Sequence, residues 1–385
     1  MNHYENKLLN NMPDSIFSVM SKLALKHDAV NLGQGFPDFD GPLWLMEEAF
    51  AAMKSGKNQY APSPGILSLR RAVCDYHKKF YDLDWNPDDN VTITAGATEA
   101  IYSTIKAFVS PGDEVIMFEP FYDAHQLDTI LCGGIPKYVT LSKPDFSFDF
   151  NELEALVSDK TKLLIINSPH NPTGKVYSLE ELEFIAKLAI KHDFLVMSDE
   201  VYEFITFDDA RHIPIATVPC MADRTITISS AGKTFSMTGW KIGFTIASKT
   251  LTESIRKIHQ WTVFAVNTPA QHAVATAFGR LDDYLPDFQA MYLKKRDLIN
   301  DLLIKTDFKP HKPAGSYFLM ADIPANKYQD DMDCAMKLVE NNKLAIIPPS
   351  VFYGKSEEGK TILRFCFAKN DETIKKGIEN LMNLV

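Results

Sequence analysis

The chain has 385 residues, 45% of them hydrophobic, enough to bury a large core in two or three domains. Its formal net charge of −10 disfavours nucleic acid and anionic membrane as partners, so binding of small anions requires locally concentrated positive charge. Five scattered cysteines without C-x-x-C spacing, and ten histidines without an H-x-x-x-H pair, argue for a reduced, cytoplasmic protein with no metal site.

In chain order, Met1–Asn11 is too polar for a signal peptide, and no apolar run reaches the ~18 residues of a membrane helix. A helix pattern covers Ser15–Lys26. The following Asn31–Pro37, with two glycines and a proline, reads as a loop rather than a core element, folded back against the C-terminal part. From Val91 to Ser248 short apolar runs alternate with helical segments. Strands are predicted at Val91–Thr94, Glu114–Phe118, Lys137–Leu141, Lys162–Asn167, Phe194–Ser198, Thr225–Ser229 and Phe244–Ala247. Helices are predicted at Thr98–Val109, Asn151–Val157 and Leu179–His192. This is an α/β pattern, a mostly parallel, doubly wound sheet covered on both faces, in which ligands gather at the carboxyl ends of strands. Long helices follow at Leu251–Val263 and Pro286–Lys305. Strands at Ser316–Asp322 and Thr361–Phe367, with helices at Asp331–Asn341 and Asp371–Leu384, suit a smaller α+β domain. The expected division is residues 1–45 packing with the small domain, 46–285 as the large domain and 286–385 as the small one.

The stretch richest in chemistry is Ser229-Ser-Ala-Gly-Lys-Thr-Phe-Ser-Met-Thr-Gly-Trp-Lys241, which sets two lysines eight apart among residues that let backbone and hydroxyls approach an anion. One lysine suits an amine that condenses with an aldehyde, the other a fixed charge beside a phosphate. Aldehyde and phosphate on one cofactor point to pyridoxal 5′-phosphate (PLP); the competing reading is a turn with solvated lysines. Other motifs fail on context. The P-loop glycine is replaced by Thr227, Thr94-Ala-Gly-Ala-Thr98 is not G-x-G-x-x-G, and Ser230-x-x-Lys233 lacks its S-D-N and K-T-G companions.

PLP acts as an electron sink when its pyridine nitrogen stays protonated, which calls for a buried carboxylate. Asp199, ending the apolar strand Phe194–Ser198, is the candidate. Tyr202 and Asn171 are polar groups suited to the ring oxygen. Singly these residues read as an N-cap, a core phenol and a turn former; in this order they read as a site.

With Asn171-Pro-Thr-Gly, Ser198-Asp-Glu-Val-Tyr202, Ser230–Lys241 and Arg364-Phe-Cys-Phe, the chain resembles the class I aminotransferases, fold-type I PLP enzymes, from about Ile16 to the C-terminus. Asn31-Leu-Gly-Gln-Gly-Phe-Pro-Asp-Phe, Asn58-Gln-Tyr-Ala-Pro, Thr94-Ala-Gly-Ala-Thr-Glu-Ala and Asn267-Thr-Pro-Ala-Gln carry a finer similarity to the methionine aminotransferase branch. The kynurenine aminotransferase/glutamine transaminase K group stands close by. The resemblance implies that Lys233 holds the cofactor aldehyde and then moves the proton, with Asp199 on the pyridinium, Tyr202 and Asn171 on the ring oxygen, and Tyr122 stacked on the ring. It implies a phosphate held by Ala97, Thr98, Ser230 and Lys241, with Tyr60 reaching in from a partner subunit of a homodimer. Arg364 would clamp the α-carboxylate of amino acids and 2-oxo acids, with Gly35 bringing backbone close. Ile16, Phe17, Tyr122, Phe264 and Phe352 would form an apolar pocket favouring methionine, aromatic amino acids or glutamine. Kynurenine-preferring relatives tend to have histidine where this chain has Ala265 and tyrosine where it has Thr98, which favours methionine over kynurenine. The rivals are a PLP β-lyase acting on C–S bonds and a non-enzymatic PLP-sensing regulator. The latter needs a basic DNA-binding module, and only about fifteen residues precede the family match.

Overall fold

The computed structural model describes residues 14–382; Met1–Asn11 and the last two residues of the predicted Asp371–Leu384 helix lie outside them. Strand β1 is Val30–Asn31. The large sheet comprises β2 (Val91–Thr94), β3 (Glu114–Glu119), β4 (Ile135–Thr140), β5 (Thr161–Asn167), β6 (Leu195–Asp199), β7 (Thr225–Ser230) and β8 (Gly243–Ile246). Their order is β2-β8-β7-β6-β5-β3-β4; β8 runs antiparallel to both neighbours and the other pairings are parallel. The expected mostly parallel α/β sheet is the one that forms.

Side-chain alternation explains why the central strands β3, β5 and β6 are rich in apolar residues at successive positions. On β3, Ile116 and Phe118 join a core with Leu182, Ile185 and Ala189 of the Leu179–His192 helix. Val115 and Met117 face the other way, onto Ala100, Ile101 and Ile105 of the Gly96–Phe108 helix and Ile255 of the Lys249–Thr262 helix. A strand buried on both faces has no polar side to show.

Four helices were not anticipated: Leu43–Lys54, Leu67–Tyr81, Asp123–Leu131 and Thr268–Phe278. Three of them have no side-chain capping bond at their N-termini, unlike Leu179–His192, which carries a Ser178/Glu181 capping box. The predicted Pro286–Lys305 helix instead starts at Leu281. Buried Leu281, Leu285 and Phe288 seat a first turn ahead of Pro286 firmly enough to carry the helix through it.

The loop reading of Asn31–Pro37 holds for Leu32–Pro37, which form no helix or strand, but its exclusion from the core needs correction. Asn31 pairs in parallel with Ala345 of β11 (Leu344–Ala345), and Leu32 is fully buried. The chain between β8 and β11 supplies β9 (Lys309–His311) and β10 (Phe318–Asp322); with β12 (Ile362–Cys366) these form an antiparallel sheet in the order β12-β10-β9. The Ile16–His27 helix packs on β11 and on the Asp331–Asn341 helix, which brings the N-terminal segment against C-terminal elements. Among the described residues no helix is long and apolar enough to cross a membrane.

The parallel register aligns the strand ends that matter. Asn167 ends β5 directly beside Asp199 at the end of β6, and Ser230 closes β7 beside Gly243. The Gly96–Phe108 helix starts two residues after β2 and aims its N-terminus at the same edge.

Candidate active site

A cavity of about 340 Å³ opens at these strand ends. Its wall includes Phe17, Gly35, Ala97, Thr98, Tyr122, Asn171, Asp199, Tyr202, Ser230, Lys233, Lys241 and Arg364, so twelve predicted site residues, from positions 17 to 364, share one cavity. Ile16 and Phe352 are buried just outside its wall. Phe352 stacks on Phe17 with ring centroids 5.7 Å apart. Tyr60 and Phe264 are not brought in. They meet edge-on at 5.2 Å on the surface, with Tyr60 83% exposed.

Lys233 sits in the single helical turn Ala231–Thr234 that follows β7. Its Nζ donates to Tyr317 Oη at 2.7 Å and to the Gly35 carbonyl at 3.3 Å. Burial pulls its pKa down to about 8; Cys366 and Asp199 oppose the fall, while the positive charges of Lys241 and Arg364 deepen it. Asp199, at the end of β6, is buried, with His125 Nε2 at 3.2 Å from one carboxylate oxygen and the Val201 N–H on the other. Asn167 donates from its side chain to the Asp199 carbonyl and accepts from the Asn171 N–H, which locks the two strand-end loops together. Tyr202 is buried edge-on to Tyr317 at 4.9 Å, and burial raises the pKa of its phenol. Burial likewise pushes Tyr122 up to about 12.

Arg364 lies on β12, paired with Met320 of β10 and fully buried. It donates from Nη1 to Asn171 Oδ1 at 2.9 Å and from Nη2 to the Gly33 carbonyl at 2.8 Å. Gly33, rather than Gly35, meets the guanidinium; Gly35 faces Lys233. Rings of Phe318, Phe17 and Phe352 surround the guanidinium at 4.2, 5.0 and 5.8 Å. Its Nε is buried, and no acceptor meets it among the described residues.

At the opposite end, Gly96 adopts φ +76° and a Cβ there would stand 3.0 Å from Lys241 Nζ. A Cβ on Gly243 would come within 2.6 Å of the Gly96 carbonyl carbon. Only glycines let helix N-terminus, Ser230 and Lys241 converge.

Sequence reasoning missed Gln34, Phe36, Asn167, Phe318, His125 and Tyr317. Asn167 was within reach, since it ends a predicted strand as Asp199 does. His125 was not, because its helix went unpredicted.

A family model for "Aminotransferase class I and II" matches residues 27–381. The chain is 40% identical to methionine aminotransferase of Escherichia coli over 96% of both chains. It is 38% identical to kynurenine–oxoglutarate transaminase of Dictyostelium discoideum, over 96% of this chain and 94% of that one. The solved N-succinyldiaminopimelate aminotransferase of Mycobacterium tuberculosis superposes with a TM-score of 0.95 at 39% identity, covering 98% of this chain and 99% of that one. The chain belongs to the class I and II aminotransferases. The aminotransferase therefore uses pyridoxal 5′-phosphate and acts on amino acids and 2-oxo acids.

The residues present fit that cofactor. A helix N-terminus, a hydroxyl and an ammonium make an anion cradle at one end, a buried carboxylate lies deeper, and an amine of lowered pKa stands between.

Keeping a lysine in that place has a measurable cost. Because the folded pKa of about 8 lies below the ordinary 10.5, the burial penalty is fully present below pH 8. Between those values the unfolded chain binds more protons, so stability climbs with pH and the penalty vanishes above the ordinary value. In cofactor-free protein, Lys233→Met therefore raises stability at pH 7 by up to about 3 kcal/mol, an upper bound because cavity water reaches part of the side chain. Urea midpoints of the two proteins differ at pH 7 and converge above pH 10.5; equal midpoints at pH 7 contradict this.

Proposed function

We propose that this aminotransferase moves the amino group of methionine, aromatic amino acids or glutamine to a 2-oxo acid by a ping-pong mechanism. The observation that carries this reading is the guanidinium of Arg364, its Nε unpartnered and its surroundings aromatic. A fork of donors suits an α-carboxylate, and the rings beside it suit an apolar side chain. The cavity's other cations, Lys233 and Lys241, belong to the cofactor side of this reading, so among the described residues the wall has no further arginine or lysine for a second carboxylate. That favours methionine over a succinylated diacid donor.

Bound PLP supplies the electron sink that makes the substrate Cα proton acidic. In this reading Asp199 would hold the pyridinium proton in place, itself oriented by His125, while Tyr202 and Asn171 would hold the ring oxygen and Tyr122 the ring face. Ala97, Thr98, Ser230 and Lys241 would bind the phosphate. Lys233, with a pKa near 8, is partly neutral at physiological pH and takes the Cα proton onto Nζ before returning it one position away. Arg364 holds the carboxylate shared by donor and acceptor, so one cavity serves both half-reactions.

A donor panel tests the assignment. Methionine and phenylalanine should outpace kynurenine, aspartate and N-succinyldiaminopimelate as donors, whichever 2-oxo acid is the acceptor; a faster diacid would reject it. Cystathionine without an acceptor should release little pyruvate and ammonia. Rapid release would favour the β-lyase instead.

We also propose a homodimer with shared sites. Tyr60, 83% exposed, lies outside the cavity of its own chain, beside Phe264 at 45% exposure. Aromatic surface of this kind suits a second copy. Mixing Tyr60→Ala with Lys233→Ala protein should restore activity, because each mixed dimer would hold one intact site. No recovery after subunit exchange would place Tyr60 elsewhere. The five free cysteines, four of them buried, suit a reducing, cytoplasmic setting.

A further inference from the structure

Tyr317 has no part in the scheme above, yet it makes the shortest contact to the lysine amine. Its hydroxyl stands 2.7 Å from Lys233 Nζ and 2.7 Å from the Gly35 carbonyl oxygen. A phenol has one proton, and a carbonyl can only accept. The proton therefore goes to Gly35, and the phenol oxygen accepts from Nζ. Ammonium and neutral amine both have an N–H to give, so the contact survives deprotonation. Reversed, with the phenol donating, it would occupy the lone pair that must attack an aldehyde.

We propose that Tyr317 is a positioning residue for Lys233, accepting an N–H from the amine so that its lone pair is left free for the cavity. This rests on Lys233 being the amine that holds the cofactor.

The surroundings hold the phenol rigidly. Tyr317 is buried, stacks on Tyr292 at 6.0 Å and meets Tyr202 edge-on at 4.9 Å, while its carbonyl accepts from the Phe367 N–H at 3.0 Å. Its pKa is raised well above the ordinary value by burial, so the proton given to Gly35 stays in place. Gly35 is part of the device. A Cβ there would lie 2.8 Å from the Phe318 ring, so a larger residue would push the carbonyl off both partners. Nothing in the sequence signals the contact, because 84 residues separate Lys233 from Tyr317.

Tyr317→Phe keeps the stacking and removes only the hydroxyl. In cofactor-free protein, pulse labelling with acetic anhydride across pH, read at the Lys233 peptide by mass spectrometry, reports the ionisation of the amine. The other groups facing it, Asp199, Cys366, Lys241, Arg364 and Tyr202, are the same in both proteins. Losing an acceptor destabilises the ammonium more than the amine, so the midpoint should fall by about one pH unit, a tenfold larger neutral fraction below it. Per neutral amine, attachment of PLP to Lys233, followed by its visible absorbance, should nevertheless slow about tenfold, since lone-pair orientation is lost. A midpoint that stays or rises overturns the proposal, as does an unchanged attachment rate per neutral amine. Borohydride trapping of PLP on a lysine other than Lys233 in unmodified protein would instead overturn the assignment of Lys233. Trapping at Lys233 with an unaltered Tyr317→Phe profile removes only the role of Tyr317.

Discussion

Lys233→Ala protein loses both the visible band of the lysine-linked cofactor and turnover, by roughly three orders of magnitude or more, the combined size of a lost nucleophile and a lost proton carrier. Among the described residues on the cavity wall, no second lysine is placed to take its role. The remaining lysine on the cavity wall, Lys241, stands beside Gly96 at the anion end. It belongs to the anion cradle of this reading, away from the place where the aldehyde would stand. PLP should still bind the variant through the cradle, which separates loss of chemistry from loss of binding. Equilibrium dialysis with PLP, absorbance and single-turnover measurements with methionine check the three parts. Transamination near the unmodified rate would show that the assigned role is wrong.

Fold and site are legible in the sequence where the information is local. The seven strands of the large sheet are short runs rich in β-branched and apolar residues, so their positions are legible to within a residue or two. The segment Ser229–Lys241 likewise showed its chemistry in its composition. Three of the four unanticipated helices have no side-chain cap to announce them. The fourth has one, Asn267 accepting from the Ala270 N–H with a proline in the first turn, and its cue went unread. What stayed hidden were contacts fixed by register between distant segments. His125 meets Asp199 across 74 residues and Arg364 meets Gly33 across 331. Periodicity places a residue on a face; it does not say which remote segment packs there. The same limit hides the pairing of Asn31 with β11 and the burial of Leu32, although Leu32–Pro37 form the loop that their glycines suggest.

Arg364→Lys should lower kcat/KM for methionine about a hundredfold, and for the 2-oxo acid acceptor by a similar factor. Arg364 commits one N–H to Asn171 and one to Gly33, keeps Nε free, and is walled in by three rings. A lysine ammonium has three donors but no planar fork, so it must abandon either the two protein acceptors or the carboxylate. Losing one charge-assisted hydrogen bond in a buried site is worth about 1.5–3 kcal/mol, which sets the expected factor. The loss should be equal in both half-reactions, because the α-carboxylate is common to donor and acceptor. A decarboxylated analogue, 3-(methylthio)propylamine, provides the internal control. The unmodified enzyme should use it poorly, and the substitution should change that slow rate little. If Arg364→Lys depresses the amine and the amino acid alike, then the guanidinium acts by holding Asn171 and the Gly33 backbone in place rather than by gripping substrate. The distinction follows from the geometry: the same side chain that lines the cavity also ties the Asn171 loop to the segment after β1.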